Sequence, residues 1–471
     1  MKWISAACIH NWGWQKLKVL VIGIDGASPI LVERWLEDLP TFQRIKKEGY
    51  FGISVPPTPA QTPVAWTTFM TGKNPGKHDI FSFIMRQRKT YERQIAQPAM
   101  IKSKTLWTLL CEKEKRVGII NVPMSDMKQV KGFIIPGFLA PTEGIPNPEL
   151  IQKKLTRKFG IQRFIGDVET EVLLNVKKEP LRFFDRVNQI TEETAQISLF
   201  LAEEENWDFF MTVLMGTDRI QHFFWRFIDP NHQKYKRNQF TELVREYYKK
   251  IDGILKKFLD IMDKETIMIV LSDHGFCPVH SELVINNYLE ESGFLKIKNE
   301  RIDLLKSKAV SYGYGDIWLN VKGREPQGLI ESGKEYETTR NTIIQKLREL
   351  RFNSEKPFKD IKKREEIYWG NNLRNSPDLV AIFNLGWQAA RRPEIMKKHP
   401  SRMYVNRNPR WSGGHDGTHD PVDVPGIIGF VGRNIHGPKE VMVHLQDMAP
   451  TILQIMDIPI PEDMDGQPMV F

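Results

Sequence analysis

Cysteine is scarce in this chain: Cys8, Cys111 and Cys277 are the only three in 471 residues. Three thiols cannot build a disulfide scaffold, and none stands in a Cys-x-x-Cys pair suited to zinc or redox chemistry. The expected setting is therefore reducing, and the expected compartment cytoplasmic. A run of 18 apolar residues is also lacking, so no membrane-spanning helix is expected. The apolar patch near the start is interrupted by His10, Asn11 and Trp12 before a signal-peptide core is complete. Residues 1–16 read instead as an extension ahead of the first element. No internal repeat or low-complexity tract occurs. With 41% apolar and 27% charged residues, the chain is neither disordered nor a coiled coil.

The charge balance is basic, 67 Lys and Arg against 58 Asp and Glu. The basic residues are spread over segments such as 153–158, 249–257 and 356–363. They are not interleaved with aromatics as a nucleic-acid groove requires, so a solvated surface is expected and no nucleic-acid polymer as partner.

What is present is a series of short, continuous apolar runs. Lys18–Ile24 is the first, and 117–122, Phe209–Leu214, 267–271, Leu379–Phe383 and 427–431 follow. Such runs read as strands buried on both faces. Helical patterns lie between them, at 104–115, 180–203 and 240–262. The alternation predicts an α/β fold with a mostly parallel central sheet flanked by helices on both faces. Asn147-Pro148 reads as a cap followed by Pro in a first helical turn. Segments at about 140–200 and 280–375 read as insertions into a single catalytic domain spanning 17–471.

Open α/β sheets bind ligands beyond the carboxyl ends of their strands. Asp25 follows the first run, Asp218 and His222 follow Phe209–Leu214, and Asp273 and His274 follow 267–271. Each has a plain alternative. Asp25 suits a helix cap, and Asp218 with His222 suits a surface pair four residues apart. Three such sites on successive strands favour a shared ion over three independent caps. Gly26, Gly216 and Gly275 adjoin them and permit sharp turns or close backbone approach. A Gly-rich loop from Trp411 to Asp420 brings His415 and His419 as further ligand candidates, or forms a plain turn. Thr62, between Gln61 and Pro63 ahead of a helical pattern, suits either a cap or a nucleophile at a helix N-terminus, where an anion is favoured.

Taken together, these residues resemble the alkaline phosphatase superfamily, and within it the type I phosphodiesterase/nucleotide pyrophosphatase family. The resemblance runs through Val21-Ile-Gly-Ile-Asp25-Gly26, Ala65-Trp66-Thr-Thr-Phe-Met-Thr-Gly-Lys-Asn-Pro-Gly-Lys-His78 and Asp218-x-x-x-His222. It continues through Ser272-Asp-His-Gly275, Leu319-Asn-Val-Lys-Gly-Arg324, Asp447-Met-Ala-Pro-Thr-Ile-Leu453 and Met464-Asp-Gly466. It implies two divalent metal ions, zinc or else manganese. One would be held by Asp25, Asp273, His274 and Thr62, and the other by Asp218, His222 and His415, with His419 as the rival. Thr62 would take the phosphoryl group and pass it to water. Oxygen and imidazole donors of this kind suit zinc, and two metals about 4 Å apart clamp both oxygens of an in-line displacement.

Two departures stand out. Pro63 has no N–H to offer a phosphoryl oxygen, and the Asn that nucleotide pyrophosphatases place after a His-Gly-Ile sequence is missing after His78-Asp79-Ile80. Lys73, Asn74 and Lys77 are candidates to meet the phosphoryl charge instead. The stretch 53–83 holds no Arg, and diester or anhydride cleavage is expected to exceed monoester cleavage. A phosphomonoesterase, a mutase of the phosphoglycerate type and a non-catalytic binding protein that kept the fold are the alternatives. Sulfatases are disfavoured, since no Cys/Ser-x-Pro-x-Arg sequence stands near Thr62.

Overall fold

Lys18–Ile24 forms a strand (β1) whose side chains divide between two apolar layers. Val19 and Val21 enter one layer, and Leu20, Ile22 and Ile24 the other. That two-residue period with burial on both sides is what a strand in the middle of a covered sheet requires. The computed structural model describes residues 17–470 apart from 88, 127–129, 300, 391–404 and 408; the extension expected at 1–16 lies outside the described residues.

Seven further strands complete the central sheet: β2 (Tyr50–Val55), β3 (Val117–Ile120), β4 (Gly132–Ile135), β5 (Phe209–Leu214), β6 (Thr266–Leu271), β7 (Gly426–Gly432) and β8 (Lys439–His444). Their order is β8-β2-β7-β6-β1-β5-β3-β4. Every pairing is parallel except those of β7, which runs antiparallel to both β6 and β2. The helices Pro180–Glu204, Gly216–Ile228 and Gln239–Asp260 pack on one face, and Thr62–Thr71, Leu106–Glu112 and Met448–Ile455 on the other. The sheet is thus mostly parallel and flanked on both sides, as the alternating pattern predicts.

The run Leu379–Phe383 is a strand, but it lies outside this sheet. It pairs antiparallel with Phe358–Lys363 and Asp316–Leu319 in a separate four-stranded sheet with its own apolar layer. All five of its residues are buried, so its composition matches that of a central strand. Asn147 does not cap the helix expected after it. The helix is Glu149–Phe159 with Pro148 at the cap position, while Asn147 forms a backbone bridge to Ile134.

Another strand, Cys277–Leu283, follows β6 almost at once. It pairs with Gly386–Ala389, Val405–Asn406 and Gly413–Gly414. The last pairing matters for the site, because it carries the Gly-rich loop back to the end of β6.

Candidate active site

β6, β1 and β5 are neighbours and run in the same direction, so their carboxyl ends open on one edge. Asp25 follows β1, and Asp273 and His274 follow β6. Past β5 the chain enters the helix Gly216–Ile228, whose first and second turns carry Asp218 and His222 on one face. Gly26 sits at φ +70°, a turn that side-chain-bearing residues resist, and its N–H donates to Asp273 Oδ1 at 3.2 Å. Gly275 passes so close to Pro425 that a Cβ would lie 2.1 Å from its carbonyl oxygen.

The Gly-rich loop is tied to this edge by its backbone. Gly413 and Gly414 pair with Pro278 and Cys277, and the Ser412 N–H donates to the His222 carbonyl at 2.8 Å. His415 is thereby placed with Nε2 3.1 Å from Asp218 Oδ1 and 3.3 Å from His222 Nε2. Its ring stacks on that of His274, with centroids 3.5 Å apart.

The three histidines share one arrangement. Nδ1–H of His415 donates to the Ala60 carbonyl at 2.7 Å, that of His222 to Gly413 at 3.1 Å, and that of His274 to Gly275 at 3.3 Å. With Nδ1 turned to the backbone, each ring turns Nε2 inward, the nitrogen a metal ligand would use. His419 differs: Nε2 faces the Trp387 carbonyl at 2.8 Å and Nδ1 the His415 carbonyl at 3.4 Å. Both of its nitrogens are directed at backbone, which is a packing role.

The carboxylates face those nitrogens. Asp218 Oδ1 is 3.3 Å from His222 Nε2, Asp273 Oδ2 is 3.2 Å from His274 Nε2, and Asp25 Oδ1 is 3.9 Å from His274 Nε2. All three aspartates are buried, and these same three oxygens have no hydrogen-bond partner. Lone pairs opposed at such distances repel unless a cation stands among them. Among the described residues two groups satisfy the geometry of a metal site, Asp218 with His222 and His415, and Asp25 with Asp218 and His274. Asp218 belongs to both.

The electrostatics tell the same story. Burial, with Asp218 alongside, pushes the Asp25 carboxyl up to about 8. Burial and the nearby Asp25 raise Asp273 well above the usual carboxylate range. Burial acts on Asp218 too, but His222, His415 and Arg219 outweigh it and hold this carboxylate well below that range. Burial and the adjacent His415 push His274 well down.

Thr62 is the first residue of the helix Thr62–Thr71, with Gln61 at the cap position. Its Oγ1 is 3.5 Å from His274 Nε2, at the margin of the cluster. Gln61 fixes this corner, accepting from the Phe83 N–H at 2.8 Å and donating to the Asp416 carbonyl at 3.1 Å. Asp25 is not a cap; its Oδ2 accepts from the Trp66 indole at 2.9 Å. Nor are Asp218 and His222 a surface pair, since both are buried.

Over residues 19–418 the sequence matches the family described as Type I phosphodiesterase / nucleotide pyrophosphatase. The chain belongs to this family. It is accordingly a hydrolase acting on phosphoric ester bonds, in a family that implies dependence on divalent metal. No curated protein sequence matches it. Among solved structures, human ectonucleotide pyrophosphatase / phosphodiesterase 5 superposes with a TM-score of 0.59 at 14% identity, over 96% of this chain and 97% of that one. An inactive threonine-to-alanine form of the murine protein, in complex with AMP, gives 0.59 at 13% identity, over 95% and 97%. These likenesses carry the phosphodiesterase fold across nearly the whole chain.

Lys73, Asn74 and Lys77 do not reach the cluster. Lys73 pairs with Asp463, Lys77 with Asp465 at 2.6 Å, and Asn74 takes Asp465 through its backbone N–H and side-chain amide. They anchor the C-terminal segment. The charge beside the cluster comes from Arg219, which no motif marks although it stands between Asp218 and His222. Its Nη1 donates to Asp218 Oδ2 at 2.9 Å. Trp411 also joins the site, its ring stacked on His222 at 3.6 Å between centroids. No motif marks it beyond its place at the head of the Gly-rich loop.

Proposed function

We propose that this phosphodiesterase-family protein cleaves phosphodiester or phosphoanhydride bonds by transfer of the phosphoryl group to Thr62 Oγ, followed by hydrolysis. The observation that carries the reading is a pair of ligand groups joined through Asp218, with a buried threonine beside them at the start of a helix. Asp218, His222 and His415 would hold one divalent ion, and Asp25, Asp273, His274 and Thr62 the other, with Asp218 within reach of both. Zinc or manganese fits such oxygen and imidazole donors. When bound, the metal pair supplies Lewis acidity toward the phosphoryl oxygens and the threonine hydroxyl.

The chain's own part is positioning. The helix beginning at Thr62 fixes the hydroxyl, and its N-terminal dipole favours the anion that approaches it. The bond from Thr62 Oγ to phosphorus forms as the bond to the leaving oxygen breaks. Water then cleaves the phosphothreonine ester and returns the hydroxyl. Phe83, Phe138 and Tyr314 form a half-buried aromatic group, with Phe83 5.7 Å from Tyr314 and 6.3 Å from Phe138 between centroids. These rings offer an apolar surface for the organic substituent of a diester. The catalytic unit is taken to run from residue 17, with the segments at about 140–200 and 280–375 inserted into it. A cytoplasmic setting is supported by Cys111 and Cys277 being free thiols.

The test is an acid quench of the protein during turnover of bis-p-nitrophenyl phosphate, followed by peptide mass spectrometry. A p-nitrophenylphosphoryl adduct on Thr62 is expected, with turnover abolished by a chelator and restored by zinc or manganese. Full turnover in metal-stripped protein would refute the reading.

A further inference from the structure

Arg219 is the one guanidinium among the described residues that pairs with a carboxylate of the cluster, and its five N–H bonds can be accounted for. Nε donates to Asp167 at 2.9 Å (Oδ1) and 3.1 Å (Oδ2), and Nη2 donates to Asp167 Oδ2. Nη1 donates to Asp218 Oδ2 at 2.9 Å. Three N–H bonds are thus engaged. Two remain, one on each terminal nitrogen, with no acceptor among the described residues. The guanidinium lies over the Phe138 ring, with Cζ 5.1 Å from its centroid, and the side chain keeps 12% of its surface open.

The anchor is built rather than incidental. Asp167 lies between the helices Glu149–Phe159 and Thr170–Asn175. Its loop is tied to the strand ends by Asn121, whose side-chain amide donates to the carbonyls of Gly166 and Val213, both at 3.0 Å. A guanidinium gripped along one edge cannot swing, so its free N–H bonds point in a fixed direction beside Asp218.

We propose that these two N–H bonds bind a non-bridging oxygen of the substrate's phosphoryl group. Arg219 would then be the anion donor that Pro63 and the stretch after His78-Asp79-Ile80 do not supply. The inference rests on the phosphoryl-transfer reading above and deepens it. A rigid, forked donor suits a phosphoryl group better than a point charge does. Its positive charge already faces Asp167 and Asp218, which hold the guanidinium protonated against its burial. Arg219 therefore contributes direction more than net charge, which fits the single charge of a diester rather than the double charge of a monoester. Asp167 is a positioning residue, and through it the segment at 140–200 enters the chemistry of the site.

The test is calorimetric titration of manganese-loaded protein with inorganic phosphate, beside metal analysis of the same samples. Arg219→Ala should weaken phosphate binding at least tenfold with metal content unchanged. Arg219→Lys keeps the charge and loses the fork, and should recover only part of the affinity; it carries the test if the alanine variant does not fold. Asp167→Asn should raise KM for bis-p-nitrophenyl phosphate more than it lowers kcat, with Asp167→Glu restoring part of the loss. Wild-type phosphate affinity in both Arg219 variants would overturn the proposal. So would a loss of affinity that merely tracks a loss of metal, or a wild-type protein that binds no phosphate. Phosphate binding that depends on Arg219, in a protein that cleaves no phosphoric ester, would instead refute the reading on which it rests.

Discussion

Stripping the protein of divalent cations and raising the pH from about 6.5 to 8 is expected to weaken the folded state, and the magnitude follows from Asp25. In the metal-free fold burial and Asp218 push its carboxyl from 3.8 to about 8. An unfolded chain gives up that proton near pH 4. Between those values the folded state holds a proton that the unfolded state has lost. Stability is therefore full below about 4 and is lost as the pH rises through 8. The slope for one such group is about 1.4 kcal/mol per pH unit, easing to half that at 8, so the window costs about 1.6 kcal/mol. Asp273 is raised for the same reasons, and His415 is raised as well: burial works against it, but Asp218 and Asp416 prevail. Both shifts act in the same direction. His274, His78, His232, His280 and His419 are pushed down by burial, so the unfolded chain sheds their charge around 6.5 and each offsets the fall by a few tenths of a kcal/mol at the foot of the window. The assay is the urea midpoint in chelator at three pH values across the window, with a parallel series in manganese. The midpoint should fall with pH in chelator and not in metal, because the cation needs the carboxylates ionised. Asp25→Asn should flatten the chelator series. A flat or rising midpoint in metal-free wild type, or an unchanged slope in Asp25→Asn, would refute the reasoning.

Thr62→Ala should lower turnover of a chromogenic diester by about 10³-fold or more, while metal analysis shows the ions largely retained; Thr58→Ala serves as the control and should remain active. His415→Ala should cost about one ion per chain by elemental analysis, whereas His419→Ala should leave metal content intact and lower the melting temperature. The ratio of kcat/KM for bis-p-nitrophenyl phosphate to that for p-nitrophenyl phosphate should exceed one. A tenfold preference for the monoester, about 1.4 kcal/mol in the transition state, would point to a phosphomonoesterase or mutase instead.

Much of the architecture is visible in the chain because its central strands are continuous apolar runs with acidic or imidazole residues directly after them. Lys18–Ile24 and Phe209–Leu214 can be read end to end. Direction is not visible: 427–431 is as apolar as its neighbours, and only the pairing shows that it runs the other way. Membership is not visible either, since Leu379–Phe383 is buried throughout but in another sheet. At the site, the choice between His415 and His419 depends on which backbone carbonyl each ring nitrogen meets, and spacing cannot supply that. Arg219 and Asp167 are 52 residues apart and belong to no shared pattern. Their pairing is a product of packing between an inserted segment and a helix.

The position of β7 has a bearing on how the chain is made. It lies between β2 and β6, yet both of those strands are synthesised long before it, and β8, beyond β2, comes later still. A growing chain that ends before residue 426 holds the β6-β1-β5-β3-β4 block with β6 as an additional bare edge, and β2 has no strand partner at all. The cluster closes earlier, once His415 is made and reaches back 355 residues to the carbonyl of Ala60. Synthesis thus leaves the sheet open until residue 426 and beyond, and a ribosome-stalled or prematurely terminated product exposes strand edges of the kind that aggregate.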